Sequence, residues 1–274
     1  MEIDRRSFIT TLGGTTAVGL LSDEAKADAL EEFMSARLNE TVAMQQAPAA
    51  QTFPSMAELQ AQIETRPTRR GVGNLFVART GNVKRLDPMP AKPRLVDFFT
   101  MRFNGTSNHC LQSATKALRS GMSEEVVLAC LLHDVVQEII KVDHGWWGAQ
   151  LFEPYISEKA AFAIRYHQAL RFYADPANGY EYPDLYRRIF GHDYRPEPYI
   201  EHTYQMVRKH KWYGEARMVT VNDLYAFDAN AQVSLDVFVD IIGRHFKQPK
   251  EGLGYDNSPV AHMWRTIERP DAPL

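Results

Sequence analysis

The run Val126-Val127-Leu128-Ala129-Cys130-Leu131-Leu132 is apolar without a break and stops at His133-Asp134. A helix that is apolar on all sides has to be buried. The imidazole and carboxylate at its end are thereby delivered to the interior, where a polar group without partners is costly. Whatever this chain folds into must bring partners to that pair.

Candidate partners lie along the middle of the chain, in the order His109, His133-Asp134, His144, His167, Asp223. Imidazole suits Fe, Zn, Ni or Cu, whereas carboxylates suit harder ions and can span two of them. A single histidine on a helix is more often a packed or surface residue than a ligand. Five of the nine, His192, His202, His210, His245 and His262, fall in that ordinary class; His210 sits in the basic stretch Arg208-Lys209-His210-Lys211. The other four lie beside apolar residues of predicted helices, where buried polar groups need partners. The set reads as a dinuclear metal site with Asp134 between the two ions.

The pattern around these residues is helical. Asn108 to Ser120 places Leu111, Ala114, Thr115 and Leu118 on one side, with Gly121 as a stop. Ser123 caps the next helix, with Glu124 and Glu125 in its first turn, and that helix terminates at the His133-Asp134 pair. Ser157 caps a third, predicted to reach about Tyr173; Glu197 to Lys209 and Glu215 to Ala229 form two more. Between them, residues 172–183 have loop chemistry with four aromatic side chains and two prolines, read either as a lid or pocket wall over the metals or as plain surface packing. Trp146 and Trp147, directly after His144, are expected to shield the site from water or to pack in the core.

Residues 1–27 carry a different signal. Arg5-Arg6-Ser7-Phe8-Ile9-Thr10 fits a twin-arginine export pattern, followed by a mild apolar run to Leu21 and the small-x-small cue Ala25-Lys26-Ala27. A functional export segment implies a periplasmic protein; otherwise the chain is expected in the cytoplasm. Residues 28–94 read as an appended arm and linker, with a helix starting at Ser55, a short strand at Phe76–Ala78 and a proline-stiffened connector at Pro88, Pro90 and Pro93. Residues 95–248 form the metal-binding helical domain and 249–274 a C-terminal tail. Apolar residues make up 45% and charged residues 24%, the balance of a globular protein, and a net charge of −3 offers no electrostatic case for nucleic acid. No stretch has the length and hydropathy of an integral membrane anchor. Cys110 and Cys130 read as small buried hydrophobes.

On Asn108-His109-Cys110-Leu111-Gln112-Ser113-Ala114, Leu132-His133-Asp134-Val135 and Val221-Asn222-Asp223-Leu224, the chain resembles the HD-domain superfamily across about residues 95–245. These are all-helical metal-dependent phosphohydrolases and their oxygenase relatives. The additional His144 and His167 match the form that binds two metals. The spacings resemble the mixed-valent diiron oxygenase branch, which includes inositol oxygenase and enzymes that cleave hydroxy-phosphonates oxidatively. The 11-residue step from His133 to His144 is shorter than in that branch and implies a compact connection through Lys141-Val142-Asp143. Where the inositol oxygenase pattern has a lysine, this chain has Gln137, which argues against inositol as substrate.

The resemblance implies an all-α HD-domain helical bundle with an extended N-terminal arm. It places His109, His133, Asp134 and Asp223 on a first metal and Asp134, His144 and His167 on a second. Arg171, one turn after His167, is expected to clamp a substrate anion through its planar guanidinium. The implied cofactor is two irons, Fe2+ and Fe3+, with Mn, Zn or Ni as alternatives. The implied reaction is oxygenation by O2 of a small, hydroxylated, anionic molecule. The competing readings are a phosphohydrolase acting on a phosphate ester or nucleotide, and a metal-dependent binding protein without turnover.

Overall fold

The computed structural model describes residues 23–46 and 86–270. The twin-arginine stretch, the Ser55 helix and the Phe76–Ala78 strand lie outside these residues. Among the described residues the chain is an all-α bundle of eleven α-helices joined by short 3-10 turns, with no β-strand. In chain order they are α1 (Asp23–Gln46), α2 (Leu95–Met101), α3 (Ser107–Arg119), α4 (Glu124–Leu132), α5 (His144–Phe152) and α6 (Glu158–Leu170). Then follow α7 (Asp184–Phe190), α8 (Pro198–Val207), α9 (Tyr213–Leu224), α10 (Val239–His245) and α11 (Ala261–Glu268). None of them is long and apolar enough to cross a membrane.

The uniformly apolar α4 is the axis of the bundle. Every residue from Val126 to Leu132 is buried, and α3, α6, α9 and α10 pack around it. Ser123 stands at its N-cap in extended conformation, but the hydroxyl makes no capping bond. Ser157 does cap α6, accepting from the Ala160 amide at 3.2 Å. Gly121 closes α3 in the left-handed region, φ +68°. Cys110 and Cys130 are free and buried.

Two helices stop earlier than their patterns suggest, because side chains from elsewhere take the backbone groups that would continue them. Helix α6 ends at Leu170, whose carbonyl accepts from the Arg217 guanidinium at 2.9 Å, and the next carbonyl, Arg171, accepts from the Tyr180 hydroxyl at 2.7 Å. Helix α9 ends at Leu224 rather than Ala229. Beyond it Gln112 on α3 grips the backbone of Asp228 with both amide atoms, each at 2.9 Å.

The ends of the chain join the bundle more closely than their composition suggests. Helix α1, in the part read as an export segment and arm, begins at Asp23 and therefore includes the Ala25-Lys26-Ala27 cue. It buries Ala27, Met34 and Leu38, and with them Asp28, Glu31 and Ser35. The stretch read as a tail contributes α11, whose Trp264 is fully buried and meets the Phe98 ring edge-on at 4.7 Å between centroids. In residues 172–183, Phe172 and Tyr180 are buried and 176–179 are exposed; Tyr180 pairs with Asp175 in an isolated bridge and lines the cavity beside Asp223. Trp146 and Trp147 neither shield the site nor enter the core. They are 45% and 40% exposed, because α5 turns the opposite face, with His144, Gly145, Gly148 and Ala149, inward.

Gly145 sets how closely α5 approaches α6. A Cβ there would lie 2.8 Å from Gln168 Oε1 and 2.9 Å from the Ile164 carbonyl oxygen, so any side chain forces the two helices apart. Gly243, on α10, faces open space. Gly145→Ala is expected to destabilise the fold by about 1–3 kcal/mol while Gly243→Ala is neutral or stabilising by up to about 1 kcal/mol, as read by denaturant unfolding. Equal effects at the two positions would show that the α5–α6 approach is not tight.

Candidate metal centre

All six of the sequence-identified donors converge in the middle of the bundle. His109 comes from the first turn of α3, His133 and Asp134 from the end of α4, His144 from the start of α5, and His167 and Asp223 from the last turns of α6 and α9. His133, Asp134, His144 and His167 have no exposed surface, and His109 and Asp223 are 1% and 4% exposed.

The short step from His133 to His144 is bridged by a 3-10 turn, Val135–Glu138, and by Asp143, the only described residue other than glycine in the left-handed region, φ 54°. That turn directs the chain straight into α5. The Gly145 amide then donates to Gln168 Oε1 at 2.7 Å, fixing the start of α5 against α6.

The orientation of the four imidazoles decides what the site can hold. His133 Nδ1 lies 2.7 Å from the Cys130 carbonyl oxygen, His144 Nδ1 3.0 Å from Lys141, His167 Nδ1 2.6 Å from Ile164 and His109 Nδ1 3.2 Å from Ala226. A carbonyl oxygen only accepts, so each Nδ1 is placed to donate and each Nε2 faces the centre, where it offers a lone pair once any proton on it is released. Backbone carbonyls of this kind are the usual braces of metal-binding histidines.

The Nε2 atoms meet the carboxylates at ligand spacing. His109 Nε2 is 3.0 Å from Asp223 Oδ1, 3.3 Å from His133 Nε2 and 3.5 Å from Asp134 Oδ2. His133 Nε2 is 3.7 Å from Asp223 Oδ1. On the other side, Asp134 Oδ1 lies 2.9 Å from His144 Nε2 and 3.5 Å from His167 Nε2. A first-row metal about 2.0–2.2 Å from each donor spaces neighbouring donors roughly 2.8–3.6 Å apart. The Nε2 atoms of His109 and His133 face one another with nothing but lone pairs unless a cation or proton stands between them. Asp134 Oδ1 and His167 Nε2 are buried with no hydrogen-bond partner. The donor set therefore fits two cations, one among His109, His133, Asp134 and Asp223 and one among Asp134, His144 and His167.

Electrostatics point the same way. Burial brings His167 down to about 4. At His109 and His144 neighbouring carboxylates outweigh burial and push the value up to about 10; Asp134 acts on both, with Asp223 adding to His109. For Asp134 the penalty of burial is overcome by His133 and His144, which hold it well below the usual carboxylate range. The constellation is built to keep carboxylates ionised and to attract positive charge.

Arg171 is present beside the site but is not free. It is 2% exposed, and its guanidinium donates to Asp28 and Glu31 of α1. Asp28, Glu31 and Gln168 are the residues that motif reading missed. Their only sequence signal is that Ala27, Asp28, Glu31, Met34, Ser35 and Leu38 recur at helical spacing, a face whose polar half hides its burial. Gln137 donates to Asp134 Oδ2 at 2.8 Å and orients the shared carboxylate.

The site is closed. Asp223, Glu31, Arg171, Tyr180 and Tyr186 border a cavity of only about 20 Å³, room for a water and little more. A wider concavity, about 450 Å³, is lined by Trp146, Trp147, Tyr166 and Tyr199, and none of the six donors lines it. No protein-family model matches the chain, and no curated protein matches it.

Two outcomes are expected. His144→Ala retains about half of the bound metal by elemental analysis; full retention would remove His144 from the donor set. Metal entry expels the protons carried by His109 and His144, so calorimetry in buffers of different ionisation enthalpy should detect proton release. Apparent affinity then rises about tenfold per pH unit near neutrality, and binding without proton release would exclude these two histidines as ligands.

Proposed function

We propose that this protein is a dinuclear metalloenzyme of the HD-domain type, a non-haem diiron oxygenase acting on a small hydroxylated, anionic substrate. One observation carries the reading: Asp134 stands between two groups of Nε2 atoms, with one oxygen toward His109 and the other toward His144 and His167. A shared carboxylate flanked by four imidazoles and a second carboxylate is a donor set for two adjacent ions. The spacing of the six ligands supports the oxygenase branch. A structural zinc site, by contrast, closes four ligands, often cysteines, around one ion, and both cysteines here lie outside the set.

When bound, two irons supply the activation of O2 and the oxidation of a substrate carbon; the protein supplies everything else. Helix termini hold the six donors rigidly, and the carbonyl braces fix the imidazole rings. Complete burial keeps bulk water away. Arg171 lines the cavity beside Glu31, Asp223, Tyr180 and Tyr186 and is the cation a substrate anion would meet there, with its terminal nitrogens already holding Asp28 and Glu31.

The test is metal content together with electron paramagnetic resonance on protein produced with added iron, before and after mild ascorbate reduction. Two irons per chain and a mixed-valent signal are expected, followed by O2-dependent turnover of hydroxy-phosphonates or related polyols. Zinc, manganese or nickel with no such signal would instead favour hydrolysis, in which two metals activate a bridging water against a phosphate ester.

A further inference from the structure

Helix α1 brings two carboxylates to the second metal position, and the structure treats them differently. Asp28 is satisfied at both oxygens: Oδ1 accepts from Gln168 Nε2 at 2.6 Å and from Arg171, and Oδ2 accepts from the Asp143 amide at 3.3 Å. Glu31 is satisfied at one. Its Oε1 accepts from Arg171, whereas Oε2 has only a long contact from Gln137 Nε2, 3.4 Å, and stands 3.6 Å from His144 Nε2. Glu31 is 3% exposed.

The under-satisfied oxygen faces the place where other donors are also incomplete. Asp134 Oδ1 and His167 Nε2, both fully buried, have no hydrogen-bond partner. The second position otherwise has three protein donors against four at the first. Two acidic groups on α1 share the Arg171 guanidinium, and both also face His144, Glu31 Oε2 at 3.6 Å from Nε2 and Asp28 Oδ1 at 3.8 Å from Nδ1. A buried carboxylate in excess of its cation is stable only when protonated or bound to metal.

We propose that Glu31 is a further ligand of the second metal, with Arg171 holding its other oxygen. This rests on the metal centre proposed above and assigns it a fourth protein donor that the ligand motifs do not contain. Helix α1 then becomes part of the site, tied to the bundle through the metal as well as through Ala27, Met34 and Leu38.

The test is titration of the chelator-stripped full chain with Co2+, read by visible absorption and calorimetry, on the wild type, Glu31→Gln, Glu31→Ala and Asp28→Asn. Circular dichroism checks the fold of each, and Glu31→Gln keeps side-chain size and an acceptor for Arg171 should the alanine variant be unstable. The wild type is expected to bind two Co2+. Both Glu31 variants should bind one of them at least about tenfold more weakly, with an altered absorption band. Asp28→Asn should retain both affinities within about threefold.

Wild-type affinity and spectrum in both Glu31 variants would overturn the assignment while leaving the six-donor centre intact. An equal loss in Asp28→Asn would also overturn it, since the effect would then come from charge around Arg171 rather than from a ligand. A wild type that binds no Co2+ would remove the metal centre itself, and this assignment with it.

Discussion

The buried carboxylate of Asp134 is the constraint from which the rest of this structure follows. It has no exposed surface, and all four inward-facing imidazoles lie within 3.5 Å of one or other of its oxygens. An isolated ion in such a place would be prohibitively unstable. Five helices from distant parts of the sequence therefore have to end on it, and the bundle is organised so that they do. Apolar α4 supplies the axis, and its terminus supplies the charge.

The same constraint explains why the surroundings are so polar and yet so dry. Each imidazole needs a proton acceptor on its outer nitrogen, and a backbone carbonyl provides it without adding charge. Gln137 and Gln168 fix Asp134 and the start of α5 by neutral hydrogen bonds. The guanidinium beside the site, Arg171, is balanced by acidic residues of α1. Positive and negative groups come in adjoining layers: carboxylates at the centre, imidazoles around them, and Arg171 with its acidic partners on one flank. Access is correspondingly narrow, and the broad groove by Trp146 and Trp147 belongs to the outer surface.

Much of this was legible in the residue pattern. An apolar run ending in His-Asp fixes a buried helix and its terminus, and histidines flanked by apolar residues on other predicted helices are the only partners rich enough to meet it. The positions of α3, α4 and α6 follow from their apolar spacing and from Gly121 and Ser157. The ends of α6 and α9 were not legible, because they are set by Arg217, Tyr180 and Gln112, side chains 9 to 116 residues away. Trp146 and Trp147 illustrate the opposite error: bulky aromatics next to a ligand invite a core assignment, but the inward face of α5 is taken by glycines and alanine. Helix α1 was obscured because half of its buried face is polar, and composition reads such a face as solvent-exposed.

The braces on the histidines mark the division between sequence and tertiary structure. His133, His144 and His167 each direct Nδ1 to the carbonyl three residues earlier, a contact available within one turn of chain. Their readiness to present Nε2 is a local property, written into the sequence around each residue. His109 leans on Ala226, 117 positions away, a contact that exists only once α9 has ended and the chain has turned back. The distance between His144 and His167 depends on the absence of a Cβ at Gly145, and the role of Glu31 depends on where α1 lands. Local spacing determined which side chains can be donors; the packing of helices against α4 decided which of them come within ligand distance of one another, because such distances are set to tenths of an ångström and only a packed interior holds them.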